Sequence, residues 1–168
     1  KVTDKELAEN ITASAKQGLT LTNLSQVDKP KYPFPPFDTA ALASSASSVL
    51  DLSSADTMKA AQSLYEKGLI TYMRTDSFRV SEEALTELLK YLDDNELSRP
   101  KQPYQYTAGS ASQDAHEAIR PTDISIKPDK APVLGIEQEV YELIWARFVA
   151  SQMSPAMYFN TTATFETK

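Results

Sequence analysis

Proline placement is the feature that most constrains how this chain can fold. Four of its ten prolines occupy positions 30, 33, 35 and 36. A proline ring fixes φ near −65° and removes the backbone N–H, so a helix cannot pass through such a cluster. Residues 28–36 are therefore predicted to form a stiff connector at a domain boundary, and they are a candidate hinge.

Helical periodicity dominates between this connector and residue 155. Helices are predicted over residues 38–50, 53–67 and 137–152, with a further helix starting at 81 and a short one over 114–119. Ser53 or Ser54 is the predicted cap of the second helix and Ser81 of the third, because a serine hydroxyl can accept a hydrogen bond from a free N–H of the first turn. Gly68 is predicted to end the second helix. The predicted buried positions are Met58, Ala61, Leu64 and Tyr65, followed by Ala84, Leu85, Leu88, Leu89 and Leu92.

Strands are predicted only near the two ends of the chain. A helix over residues 3–17, with Thr3 and Glu6 as a capping box, precedes a strand over 19–27. The β-branched and aromatic segment 158–166 predicts a closing strand. The predicted fold class is mainly α with short flanking β-strands: residues 29–155 form a helical domain inserted into a β-containing domain made of residues 1–28 and 156–168.

Composition limits the classes of function. The chain has no cysteine, which excludes a disulfide framework and a cysteine zinc site. No apolar stretch reaches the roughly 20 residues that cross a bilayer, so no membrane partner is expected. The start at Lys1 shows no signal-peptide pattern and indicates a fragment excised from a longer, cytoplasmic protein. The formal net charge of −6 gives no support for a nucleic-acid partner.

The run from Leu69 to Ser77 contains the strongest chemical signal, a tyrosine two residues before an arginine. A phenol is a weak nucleophile near neutral pH, because little of it is ionised. A neighbouring cation favours the ionised form and neutralises charge that grows on a phosphate. In an extended segment Arg74 would lie on the same face as Tyr72, and its guanidinium can bind two phosphate oxygens. Tyr72 is therefore a candidate nucleophile for covalent catalysis on a phosphodiester.

A second group of polar residues surrounds His116, the only histidine in the chain. Imidazole can serve as a neutral hydrogen-bond donor or as a cation on phosphate. On the predicted helix, His116 and Arg120 are four residues apart and share a face, and Glu117 could orient one of them. In the first motif, Thr75, Asp76 and Ser77 either shape the turn or contact a nucleic acid, and the residues alone leave both readings open.

These strings resemble a known family. The run 69–77 and its approach from Leu64 resemble the nucleophile motif of type IA DNA topoisomerases. The string 113–122 is similar to the histidine–glutamate–alanine–isoleucine–arginine–proline segment of the bacterial topoisomerase I members. Residues 35–42 and 144–156 are similar to segments that begin and end this domain in the family, although Asp38 and the two alanines after Thr39 depart from a threonine- and serine-rich pattern. Met73 makes the motif more similar to topoisomerase I than to topoisomerase III. Reverse gyrase shares much of this segment, so the resemblance does not distinguish it from topoisomerase I.

The resemblance implies a set of roles and partners. Tyr72, Arg74 and His116 would be catalytic, with Tyr72 joined to a 5′ phosphate of single-stranded DNA. The implied DNA contacts are Arg74, Gln113, His116, Arg120, Thr75 and Ser77, and the supporting residues are Asp76 and Glu117. The flanks would belong to the arch domain. Mg²⁺ would be bound by a toprim domain outside this sequence, so no metal ligand is predicted here and the fragment alone should not relax supercoils.

Two other classes of protein are alternatives to a topoisomerase domain. The first is a non-catalytic helical module that binds DNA or protein and keeps the motifs for structural reasons. The second is another tyrosine-dependent strand transferase, such as a recombinase. The chain lacks the spread of arginines and histidines of that group, which disfavours the second alternative.

Overall fold

The computed structural model describes residues 3–106 and 116–167. The chain divides into two compact units, one formed by Lys1–Lys31 with Pro155–Lys168 and the other by Tyr32–Ser154. Across the described residues there are five α-helices and one two-stranded antiparallel sheet. The predicted fold class, helical with flanking strands, is confirmed.

The unit formed by the two ends of the chain contains α1 (Lys5–Ala15), β1 (Leu19–Lys31) and β2 (Ala156–Thr167). The prediction of Thr3 as the cap of α1 was wrong. Asp4 is the N-cap, and its carboxylate accepts a hydrogen bond from the N–H of Leu7 at 3.1 Å. The helix begins one residue later than a Thr3 cap requires, and aspartate satisfies a first-turn donor as well as threonine does.

β1 is longer than predicted and runs into the proline-rich segment. Pro30 lies opposite Met157 in the antiparallel ladder. Because β1 has a single neighbouring strand among the residues that the structure describes, its outer edge needs no N–H donor, and proline is tolerated there. A register shift between Leu21 and Asn23 inserts one extra residue. This bulge places Leu21 and Leu24 on the same side of the sheet, opposite Phe165 and Ala163, which explains the imperfect alternation in the sequence.

The helical unit contains α2 (Thr39–Leu50), α3 (Ser54–Glu66), α4 (Glu82–Asp94) and α5 (Ile136–Ala150), with a 3-10 turn at Pro128–Lys130. The predicted caps of α3 and α4 are confirmed, because Ser53 accepts from the N–H of Asp56 at 3.1 Å and Ser81 from that of Ala84 at 3.4 Å. Among the helices of residues 3–106 and 116–167, none combines the length and the apolar character of a membrane span.

Two clusters of buried side chains hold the helical unit together. The larger joins α2, α3 and α5 to the loops between them; its largest fully buried members are Phe37, Leu42, Leu64, Ile70, Met73, Ile119, Tyr141 and Ile144. The smaller joins α4 to α5 through Leu88, Leu92 and Phe148. Tyr65 was predicted to be buried but is 42% exposed. The buried face of α3 is centred on Thr57, Ala61 and Leu64, so Tyr65 lies at its edge.

The prediction of a helix over residues 114–119 was wrong for the part that the structure describes. Residues 116–118 have no regular secondary structure, and residues 107–115 lie outside the described ranges. Ile119 and Pro121 instead form β-bridges with Phe37 and Ile70. Tertiary hydrogen bonds to these segments replace the local bonds that a helix would have made.

Candidate functional site

The loop that carries Tyr72 starts at the end of α3. Gly68 has φ +71°, a left-handed conformation that glycine adopts without strain. The N–H of Gly68 donates to the Tyr65 carbonyl at 2.8 Å and that of Leu69 to the Leu64 carbonyl at 2.9 Å. This pair of bonds is a Schellman motif, which closes the helix and turns the chain into the core.

The two sequence motifs lie side by side. The N–H of Thr122 donates to the Leu69 carbonyl at 3.1 Å, and the N–H of Thr71 donates to the Arg120 carbonyl at 2.9 Å. The Thr71 hydroxyl donates to the Ala118 carbonyl at 2.7 Å and accepts from the N–H of Arg120 at 2.9 Å. The residue directly before Tyr72 is therefore fixed to the histidine motif by its backbone and by its side chain.

Tyr72 itself faces outward. Its side chain is 50% exposed, whereas Met73 beside it is 1% exposed and belongs to the core. The Tyr72 ring meets the ring of Tyr65 edge to face, with centroids 5.3 Å apart and planes at 67°. The phenol is accessible from solvent, and the backbone on either side of it is held in place. Arg74, two residues later, is also exposed.

Thr75 and Ser77 are buried and form the turn after Arg74. The Thr75 hydroxyl accepts from the N–H of Ser77 at 3.1 Å, and the Ser77 hydroxyl accepts from the N–H of Arg79 at 3.1 Å. Ser77 is 1% exposed and Thr75 is 8% exposed. Of the two readings that the sequence left open, this geometry supports the turn-forming role, and their contact with DNA stays a prediction.

Asp76 and His116 come together across the two motifs. His116 Nδ1 lies 3.9 Å from an Asp76 carboxylate oxygen, and both side chains are at least half exposed. The N–H of Ala118 donates to the Arg79 carbonyl at 2.8 Å, which holds the histidine segment against the end of the tyrosine loop. The imidazole of His116 thus lies beside Asp76, which follows Tyr72 by four residues. Gln113 lies outside the described residues.

Glu117 and Arg120 form a largely internal pair. Arg120 Nη2 donates to Glu117 Oε2 at 2.8 Å, and the two side chains are 13% and 22% exposed. The other Glu117 oxygen accepts from the N–H of Ser81 at 2.8 Å, at the start of α4. The expectation that His116 and Arg120 share one helix face was wrong, because residues 116–118 form no helix. The His116 side chain is 50% exposed, whereas that of Arg120 is 13% exposed. The role of Arg120 as a DNA contact stays a prediction.

Groups with clearly shifted pKa values lie in the scaffold. Burial raises the pKa of Tyr106 to about 12, and its hydroxyl donates to the Ser151 carbonyl at 2.7 Å. Burial also lowers the pKa of Arg147, whose guanidinium lies 4.3 Å from the ring centroid of Phe37 and 5.1 Å from that of Phe34. These contacts fix the chain around α5 and provide no candidate for acid or base chemistry.

No group of three or more histidine, aspartate or glutamate side chains within residues 3–106 and 116–167 could hold a metal ion. The two motifs contribute the Arg74 guanidinium, the His116 imidazole and the Asp76 carboxylate as exposed polar groups. This set suits an anionic ligand such as a phosphate better than a divalent cation.

Sequence reasoning missed three residues that shape this site. Thr71 and Thr39 hold the backbone of the tyrosine loop, and Tyr65 packs on the candidate nucleophile. Thr71 lies within the run from Leu69 to Ser77, but its role in holding the loop depends on the Ala118 carbonyl, 47 residues away in the sequence. Thr39 is the first residue of α2, and no local sequence pattern connects it to the tyrosine loop more than 30 residues later.

Comparison with known proteins gives consistent matches. A family model described as DNA topoisomerase matches residues 1–168. DNA topoisomerase 1 of Escherichia coli (strain K12) is 43% identical over 146 residues, which cover 84% of this chain and 17% of that protein. DNA topoisomerase 1 of Zymomonas mobilis is 41% identical over 166 residues, covering 96% of this chain and 13% of that protein. The solved structure of full-length topoisomerase I from Thermotoga maritima has a TM-score of 0.75 and 35% identity, covering 100% of this chain and 28% of that one.

The chain spans 17% of the length of the Escherichia coli relative and 13% of the Zymomonas mobilis one. The resemblance inferred from the motifs around Tyr72 and His116 is confirmed by matches that extend over nearly the whole sequence. Since the family model covers all 168 residues, this chain belongs to the DNA topoisomerase family.

Proposed function

We propose that this chain is the nucleophile-bearing part of a bacterial type IA DNA topoisomerase. In the longer protein, Tyr72 cuts one DNA strand transiently, another strand passes, and the cut is resealed, which relaxes negative supercoils. The observation that carries the proposal is the half-exposed Tyr72 phenol, on a loop fixed on both sides and followed by the exposed Arg74.

The bond changes balance without an external energy source. The Tyr72 oxygen attacks a phosphodiester phosphorus, a phosphotyrosine bond forms at the 5′ phosphate, and the bond to the 3′ oxygen breaks. The phenol loses a proton and the departing 3′ oxygen gains one. Resealing is the reverse reaction, so the phosphotyrosine link conserves the bond energy and no nucleotide is hydrolysed.

Arg74 and His116 are proposed to hold the phosphate. A guanidinium can bind two of its oxygens and stabilise the charge that grows on them during attack. His116 would donate from one ring nitrogen while Asp76, 3.9 Å from Nδ1, orients the ring. Glu117 supports this arrangement through Ser81 and Arg120.

The remaining parts of the activity are assigned outside this sequence. We propose that a toprim domain of the longer protein supplies Mg²⁺ and that other domains complete the groove for single-stranded DNA. The residues described here alone should therefore not relax supercoiled DNA, and the bacterial cytoplasm, where chromosomal DNA resides, is the proposed location.

A non-catalytic module that binds DNA or protein is the second candidate, and the formal net charge of −6 favours its protein-binding form. The test is Tyr72→Phe in the longer protein, with an end-labelled single-stranded oligonucleotide and a denaturing gel that separates covalent adducts. The proposal requires an adduct for the parent and none for Tyr72→Phe. Tyr65→Phe is the matched control, because Tyr65 is a similarly exposed tyrosine whose ring is 5.3 Å away, and it must keep the adduct. Retention of the adduct by Tyr72→Phe would favour the module.

A further inference from the structure

Thr39, the first residue of α2, holds the backbone on both sides of Arg74. Its hydroxyl lies 2.8 Å from the Met73 carbonyl oxygen and accepts from the N–H of Thr75 at 2.9 Å. Its own N–H donates to the Thr75 carbonyl at 3.0 Å. Thr39 therefore contacts the residue before Arg74 and the residue after it.

The chemistry of the hydroxyl assigns these bonds. The Thr39 oxygen is also 3.0 Å from the Thr75 carbonyl, but a hydroxyl has a single proton to donate. The Thr75 carbonyl already accepts from the Thr39 N–H, and the Met73 carbonyl is closer. The hydroxyl consequently donates to Met73 and accepts from Thr75, and a side chain without an oxygen would leave both backbone groups unpaired.

The position of Thr39 in the fold makes this a firm attachment. The N-cap Asp38 accepts from the N–H of Ala41 at 2.6 Å, and Leu42 in the first turn is fully buried. The Thr39 N–H is one of the first-turn donors that lack a partner inside a helix, and the loop satisfies it. The tyrosine loop is thereby connected to a helix that belongs to the main core.

We propose that Thr39 is a positioning residue for Arg74, an inference that rests on the proposed function. Arginine has a long, flexible side chain, so the aim of its guanidinium depends on how well its backbone is fixed. Thr71 fixes the backbone before Tyr72 in the same way, through Ala118 and Arg120. The two threonines together set the spacing between the nucleophile and the cation that stabilises the phosphate.

The test compares Thr39→Val and Thr39→Ser in the longer protein, by single-turnover cleavage of an end-labelled single-stranded oligonucleotide. Valine keeps the shape and removes the hydroxyl. We expect Thr39→Val to cleave about 10- to 100-fold more slowly, because small misplacements of catalytic groups have effects of this size. Non-covalent binding of the same oligonucleotide should change less than about threefold, and Thr39→Ser should restore the rate to within about threefold of the parent.

Thr57→Val is the matched control. Thr57 is a buried threonine near the start of α3 whose hydroxyl donates to the Ser53 carbonyl at 2.9 Å, inside its own helix. Thermal melting followed by circular dichroism identifies variants that are unfolded at the assay temperature. Thr57→Val should lower the melting temperature and leave the cleavage rate of the folded protein unchanged.

The inference is overturned if folded Thr39→Val cleaves at the parent rate, or if it slows cleavage no more than Thr57→Val does. Should Thr39→Val not fold, Thr39→Ser decides the matter: a folded serine variant that cleaves tenfold more slowly contradicts the inference. Tyr72→Phe is assayed in parallel. An adduct that survives in Tyr72→Phe refutes the proposed function, whereas its loss together with an unchanged Thr39→Val rate refutes the positioning role alone.

Discussion

The N–H of Arg120 donates to the hydroxyl of Thr71 at 2.9 Å, across a separation of 49 residues. This bond joins the residue immediately before Tyr72 to the segment that carries His116. Because the Thr71 hydroxyl also donates to the Ala118 carbonyl, one side chain satisfies two backbone groups of a segment without regular structure. The two motifs of the candidate site are held together by this threonine.

Thr71→Val should therefore destabilise the helical unit. The substitution leaves one N–H and one carbonyl without their partner in a partly buried place, and we expect a loss of about 1–3 kcal/mol in the free energy of unfolding. Urea denaturation of the chain followed by circular dichroism measures this loss. Thr71→Ser, which keeps the hydroxyl, should lose less than about 1 kcal/mol. Equal losses for the two variants would contradict the hydrogen-bonding role.

Glu117→Gln should also destabilise the chain, because Glu117 neutralises Arg120 in a mostly buried place. The Arg120 guanidinium is 13% exposed and would keep its charge without a carboxylate. Its Nε atom already lacks a partner among the described residues. We expect a loss of about 1–3 kcal/mol, less than for a fully buried pair. Glu82→Gln, at an exposed position in the first turn of α4, is the control and should change stability by less than about 0.5 kcal/mol.

The sequence predicted those features whose causes are local. Ser53, Ser81 and Gly68 act within a few residues of their own helix ends, and their roles follow from capping chemistry. Tyr72 and Arg74 were chosen from the motif, and the structure shows both residues exposed, while their catalytic roles stay a prediction.

Other features depend on contacts between distant parts of the chain. The non-helical conformation after His116 results from bonds to Phe37, Thr71 and Arg79, which periodicity cannot reveal. The strand at residues 28–31 exists because β2, more than 120 residues later, pairs with it. Thr39 was overlooked for the same reason, since its partners lie over 30 residues away.

Tyr141 should make the stability of the chain sensitive to alkaline pH. Burial raises its pKa from 10.0 to about 12, and its hydroxyl donates to the Ile126 carbonyl at 2.8 Å. A raised pKa in the folded state means that the contribution is complete below pH 10.0 and is lost as the pH rises through about 12. Because Tyr141 is fully buried, we expect this contribution to be about 2–3 kcal/mol.

Urea denaturation between pH 8 and pH 12 checks this expectation. Tyr141→Phe should be less stable at pH 8 by about 1 kcal/mol, because a hydrogen bond is lost, and should show a shallower decline above pH 10. Tyr158→Phe, at a position 54% exposed, is the control and should follow the parent curve. A parallel decline for Tyr141→Phe and the parent would contradict the assignment.

Tyr65 should influence the reactivity of Tyr72 through its ring. The two rings meet edge to face at 5.3 Å, and such a contact contributes about 0.5–1.5 kcal/mol beyond the area it buries. If the contact orients the phenol for attack, Tyr65→Ala in the longer protein should lower the single-turnover cleavage rate by about 2- to 10-fold. Tyr65→Phe keeps the ring and should cleave within about twofold of the parent. Thermal melting separates this effect from a loss of folding, because Tyr65 is 42% exposed and its truncation removes little of the core. A folded Tyr65→Ala variant that cleaves at the parent rate would show that the ring contact does not orient Tyr72.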